Sequence, residues 1–226
     1  MLVIGLLSRI TDYRDQVATV LTRLCIACLI AFWVLITIAG VLTPDYEQYR
    51  DYVSALASYG SEAAALGILA ILSTAAAHAM ASVVLMPWDR IVGSCVALAA
   101  FALLIVAGFR INCPGGAGRC LQEGEPGVSA VVHAGGVVVY TLAIVTAMLV
   151  AGVRSLLGHR RSLVGVPGLV ASVLFVVAFG GLWASSPGLP QRFWVFIGQV
   201  WLVMALVDAH EQRGREEARA LARSHR

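Results

Sequence analysis

The chain has 226 residues, of which 59% are hydrophobic and 13% charged, with a formal net charge of +3 and a mean hydropathy of +0.84. Soluble domains carry about a quarter charged residues, and the apolar excess here falls in runs too long for one water-facing core. These features exclude a soluble enzyme, a nucleic-acid-binding domain and a disordered chain, and they imply a polytopic membrane protein.

The chain opens with Met1–Gln16, which does not read as a secretory signal. No basic residue precedes its short apolar start and no small-residue cleavage site follows, so the N-terminus is expected to be retained. The first apolar segment, Leu24–Leu42, contains Cys25 and Cys28. That CxxC spacing serves thiol redox chemistry in some proteins; inside a span, two small residues on a packed face are the expected reading.

The loop from Thr43 to Gly60 is the most informative stretch. Thr43-Pro44 predicts a helix start, a capping hydroxyl followed by a residue whose missing N–H costs nothing there. Helical spacing then places Tyr46, Tyr49, Val53 and Leu56 on one face. Tyrosines favour the membrane–water boundary, so a short amphipathic helix lying on the outer surface is predicted. Asp51 and Ser54 are three residues apart and would project together, either toward a ligand or to fix the loop by a hydrogen bond.

Segments two and three are Ala63–Met86 and Ile91–Phe109. Two-thirds of the way along the second, His78 is expected in the inner half, near Asp208 and His210. The following loop begins at Arg110 and holds Cys113 and Cys120 around a Pro/Gly stretch. On an outer side these cysteines suit a structural disulfide; the ligands for a zinc site are lacking. The fourth segment, Val128–Val153, carries His133 near its outer end, and an ionisable group within a span is a functional candidate.

Segment five is Ser162–Ala184 and segment six Phe193–Val207. The sixth falls short of the roughly 20 residues a span needs unless Arg192 snorkels. The tail from Glu211 to Arg226 alternates acid and arginine and reads as a solvated cytoplasmic helix.

All sixteen basic residues are arginine. With six spans and both termini inside, twelve arginines lie inside and only Arg50, Arg110, Arg119 and Arg192 outside, as the positive-inside rule requires. Were the last segment not to span, the balance would be seven against nine. The prediction is therefore an all-helical, six-span bundle forming one integral membrane domain over residues 1–226, placed in the plasma membrane with both termini cytoplasmic.

Pro44-Asp45-Tyr46, leading into Arg50-Asp51-Tyr52-Val53-Ser54-Ala55-Leu56 after a first span, resembles the family labelled domain of unknown function 998. So do the later loop with Cys113 and Cys120 followed by His133, and Gly188-Leu189-Pro190-Gln191-Arg192 before a last span containing Trp201. The likeness covers residues 20–208. It implies a bacterial or archaeal six-span membrane protein with no assigned activity, and it marks Asp51, Ser54, His133 and Arg192 as motif positions.

Three functions follow as expectations. The first is a non-enzymatic module binding a lipid headgroup or partner protein at an outer pocket of Asp51, Ser54, Arg110, His133 and Arg192, its two arginines suited to phosphate or carboxylate. The second is an intramembrane lipid hydrolase with Ser54 as nucleophile, His133 as base and Asp51 orienting the imidazole. The third is a transporter, for which only Ser73, Thr74 and His78 lie near the midplane. Membrane lipid, a membrane-protein partner or a second copy are the expected partners. No cofactor, metal or nucleic acid is implied.

Overall fold

The computed structural model describes residues 2–112, 127–158, 164–181 and 187–224. Among these residues the secondary structure is entirely helical. Six α-helices run in order: α1 (Leu2–Leu42), α2 (Ala64–Leu85), α3 (Arg90–Gly108), α4 (Val128–Leu156), α5 (Gly165–Gly180) and α6 (Gly188–Ser224), with a 3₁₀ helix, Val53–Ala57, between α1 and α2.

Local chemistry sets several of these boundaries. Asp89 caps α3, its Oδ1 accepting from the N–H groups of Ile91 and Val92 at 3.0 and 3.2 Å. Pro167 and Pro190 stand in the first turns of α5 and α6, where a missing N–H removes no helical bond.

Five helices contain segments long and apolar enough to cross a membrane: Asp15–Leu42, Ala64–Leu85, Arg90–Gly108, Val128–Leu156 and Gly188–Arg215. The short member is α5, with 16 residues, about 24 Å at ~1.5 Å per residue. This reverses the expectation that the sixth segment would be the short one. α6 passes without a break through Arg192 and Asp208, because helix continuation depends on main-chain geometry and tolerates charges that have partners.

Each helix packs on the next in sequence, and α2 also reaches across to α6, while α1 and α6 meet only sparsely. The core between them is built on Trp201, Tyr140, Phe175, Ile144, Met148 and Leu202. Ion pairing between Arg213 and Asp15 at 2.9 Å, and a Thr22–His210 hydrogen bond of 2.9 Å, bring the chain-terminal ends of α1 and α6 together. The Asp89–Arg154 ion pair links the α2–α3 turn to the last turn of α4. The 3₁₀ helix occupies the other end of the bundle.

Candidate functional site

After α1 the chain does not start a new α-helix. The hydroxyl of Thr43 turns back to donate to the Ala39 carbonyl at 2.8 Å, so Thr43 closes α1 and caps nothing that follows. Asp45 then adopts a left-handed conformation, φ 57°, which reverses the chain and breaks the helical register that sequence spacing implied. The next turn is held by Asp51, whose Oδ2 accepts from the Glu47 N–H at 2.7 Å. Its Oδ1 lies 3.5 Å from Arg50 Nε.

The 3₁₀ helix follows directly, and its five residues are all buried. This corrects the predicted amphipathic surface helix. Tyr49 stays 60% exposed while Val53 and Leu56, expected on the same face, are buried. The segment from Val53 to Ser58 carries no charge and only small or apolar side chains, so it can be enclosed on every side. Enclosure demands that its main-chain groups find partners within the protein.

Those partners come from distant elements. Gln191 Oε1 accepts from the Val53 N–H. Arg110 donates from Nε to the Ala57 carbonyl at 2.6 Å and from Nη2 to the Ser58 carbonyl at 2.7 Å. Its guanidinium also stacks 4.2 Å from the centre of the Tyr59 ring. Gly67 of α2 lets the segment approach: a Cβ there would lie 2.5 Å from the Leu56 carbonyl carbon and 2.6 Å from the Ala57 nitrogen.

Arg192 is engaged by the loop that follows α1. Its Nη1 donates to the carbonyls of Gln48, Asp51 and Gly188, and Nη2 donates to the Tyr46 hydroxyl at 2.7 Å. The start of α6 joins the same turn, with the N–H groups of Gly188 and Leu189 donating to the Arg50 and Tyr49 carbonyls at 3.2 and 3.0 Å. Burial pushes the Tyr46 phenol above its ordinary pKa, and the Arg192 charge pulls it the other way.

His133 is buried and faces the end of α3. Its Nδ1 contacts the Phe109 and Val106 carbonyls at 2.8 and 3.1 Å. Carbonyl oxygens only accept, so Nδ1 carries the proton. Ser129, one turn earlier, donates to the Arg110 carbonyl at 2.7 Å.

Beneath the 3₁₀ helix lies a chamber of about 50 Å³. Its polar lining comes from Ser54, Thr74, Tyr140 and Gln191, its aromatic walls from Phe32 and Trp194, and none of its lining residues is charged. Trp194 Nε1 is buried with no acceptor among the described residues. Behind Tyr140 lies His78, with the Tyr140 hydroxyl 3.5 Å from His78 Nε2. His78 Nδ1 is 2.8 Å from the Thr74 carbonyl, which fixes that nitrogen as the donor and leaves Nε2 to accept.

All five residues expected at one rim (Asp51, Ser54, Arg110, His133 and Arg192) do lie at one end of the bundle, around the 3₁₀ helix. Only Ser54 lines the chamber. The Asp51 carboxylate serves its own turn, and no hydrogen bond joins Ser54, His133 and Asp51 in a relay among the described residues. His78 meets Tyr140 and Thr74 instead of Asp208 and His210. Cys113 and Cys120 lie outside the described residues. Cys25, Cys28 and Cys95 are free thiols, and no described group of three or more His, Cys, Asp or Glu could hold a metal ion.

Sequence reasoning passed over Gln191, Tyr140 and Trp194. For Tyr140 the available signal was a hydroxyl inside an apolar segment, which must find a partner there; Gln191 stands just before the sixth segment and was read only as part of a motif.

A family model described as protein of unknown function (DUF998) matches residues 26–208. The chain belongs to that family, as the motif resemblance implied. No curated protein and no solved structure matches it.

Proposed function

We propose that this family member is a non-catalytic membrane module that binds the polar end of a neutral membrane lipid in the chamber beneath the 3₁₀ helix. The observation that carries this reading is the chamber's lining. In an otherwise apolar wall it holds the polar side chains of Ser54, Thr74, Tyr140 and Gln191, and no charge. At roughly 10–15 Å³ per water-sized group, the space admits an ester or alcohol end, while the rest of the lipid stays outside.

An anionic headgroup is the less favoured guest. Arg110 and Arg192, which suggested it, already donate to main-chain carbonyls. They act with Asp51 and His133 as positioning residues that hold the chamber's roof, and Ser54 is the member of the set that meets the guest. A hydrolase would need His133 between Ser54 and Asp51, whereas His133 Nδ1 is given to α3 and Asp51 to Glu47.

The test is native mass spectrometry and lipid extraction on the full chain purified from its host membrane. Retained neutral lipid, reduced several-fold by Ser54→Ala and abolished by the chamber-filling Ser54→Leu, is the expected result. Retention of anionic lipid that depends on Arg110 or Arg192 would move recognition to the rim. No retained lipid, or equal retention in both chamber variants, would overturn the reading altogether.

A further inference from the structure

The chamber beneath the 3₁₀ helix is walled on one side by Phe32 of α1 and by Trp194 and Val195 of α6. The next residue on each helix, Trp33 and Phe196, lines a second hollow instead, a groove of about 280 Å³ along the same α1–α6 seam. A single layer of rings parts the two. Phe32 and Trp33 stand edge to face at 5.2 Å, and Trp33 and Phe196 at 6.2 Å.

This seam is the weakest wall of the chamber. The 3₁₀ helix above is fixed by Gln191 and Arg110. Other walls are tightly seated: a Cβ on Gly67 would lie 2.5 Å from Leu56, and one on Gly136 2.9 Å from Val106. By contrast, α1 and α6 meet sparsely. Their polar ties are Trp33–Gln199 at 2.8 Å, Thr22–His210 at 2.9 Å and Asp15–Arg213 at 2.9 Å. On α6 these ties begin at Gln199 and continue away from the chamber. Among the described residues, no hydrogen bond or ion pair joins α1 to residues 193–198, the stretch that walls the chamber. Elements held by few contacts open at the least cost.

The groove also has a direction. It runs from the chamber's level toward the chain termini, from Trp33 to Ile26 on α1, about 10 Å at ~1.5 Å per residue. A lipid in the leaflet at the chamber's end keeps its polar end near the surface and points its chain at the midplane, along the same line. Apart from the buried Gln199 amide, the groove wall is apolar. A hydrocarbon chain fills such a space by dispersion contacts and needs no hydrogen-bond partner there.

We propose that the α1–α6 seam is the lateral entrance to the chamber. A neutral lipid parts Trp33 from Phe196, places its polar end in the chamber and lays one hydrocarbon chain in the groove. The proposal rests on the reading of the chamber as a neutral-lipid site, and adds the route of entry and the seat of the chain.

The experiment places the full chain in phosphatidylcholine nanodiscs with hexadecanol carrying a diazirine midway along its chain. A phosphatidylcholine bearing the same diazirine serves as the bulk-lipid control. After photolysis, labelling within residues 26–33 and 196–204 should exceed the control several-fold and be competed by unlabelled hexadecanol. In the chamber-filling Ser54→Leu it should fall to the control level. Phe196→Ala, which removes one ring of the partition at an exposed position, should speed release of the retained alcohol several-fold. Labelling no greater than the control, labelling unchanged in Ser54→Leu, or release no faster in Phe196→Ala would each overturn the entrance. Where neutral lipid is nonetheless retained, the chamber stands without the seam; where none is retained, both readings fall. If Ser54→Leu does not fold, the competition in the wild-type protein takes its place.

Discussion

Arg110 Nε donates to the Ala57 carbonyl at 2.6 Å, so a side chain expected to meet a ligand instead closes the end of the 3₁₀ helix. With Nη2 on the Ser58 carbonyl, the planar guanidinium satisfies two adjacent buried acceptors at once, a geometry that an ammonium cannot reproduce. Arg110→Ala is expected to destabilise the protein by about 2–4 kcal/mol, because both carbonyls are left unpaired. Arg110→Lys should recover only part of this. Thermal unfolding of the purified protein reads the loss, and faster amide exchange at Ser58 and Tyr59 would place it at this segment.

Gly67 provides the space into which the 3₁₀ helix is seated. Gly67→Ala would press a methyl group onto the main chain of Leu56 and Ala57, which flexible side chains cannot relieve. The expected cost is on the order of 1–3 kcal/mol, as for overpacked cores, with the segment displaced outward. A Ser54→Cys reporter should react slowly with a water-soluble maleimide in the parent and faster when Gly67→Ala is added. Gly188→Ala should act similarly on the neighbouring turn, since its Cβ would lie 2.5 Å from the Asp51 carbonyl oxygen.

His133 donates from Nδ1 to the final carbonyls of α3. An asparagine amide can place an N–H close to the Nδ1 position, whereas leucine offers no donor. His133→Leu is therefore expected to lower stability by about 1–3 kcal/mol, and His133→Asn by clearly less. If His133 only positions the roof, folded His133→Asn should retain lipid as the parent does. A selective loss of bound lipid in that variant, at unchanged stability, would instead give the imidazole a role at the chamber.

Tyr46 links pH to the same structure. Its phenol is raised by burial, so the folded state keeps a proton that the unfolded chain releases near pH ~10. The sign follows: the contribution is fully present below about pH 10 and is lost as pH rises through the higher folded value. Stability should fall above about pH 10, and Tyr46→Phe should flatten that fall. At neutral pH the same variant loses the bonds to Arg192 and to the Tyr52 carbonyl, a cost of about 1 kcal/mol. Unfolding midpoints measured across the alkaline range check both effects.

Much of the architecture was legible from residue order. Length and hydropathy marked six helical segments, and the arginine bias required the loops to alternate between two ends. The structure agrees in placing Asp51, Ser54, Arg110, His133 and Arg192 at the end opposite the termini. The loop after α1 was misread because periodicity is a local signal. It describes which faces a helix would have, and contains no information about Gly67, Arg110 and Gln191, which lie far along the chain and make burial of Val53–Ala57 feasible.

Composition and spacing alone therefore determined a membrane-embedded helical bundle, since an apolar run of spanning length has few other stable states in a bilayer. Only the tertiary structure decided what each polar group does there. The partners of Arg110, Arg192 and His133 depend on the rotation of each helix about its axis and on one left-handed residue, Asp45. A small change in either would turn a donor from a carbonyl toward a cavity, and no pattern along a single helix records that choice.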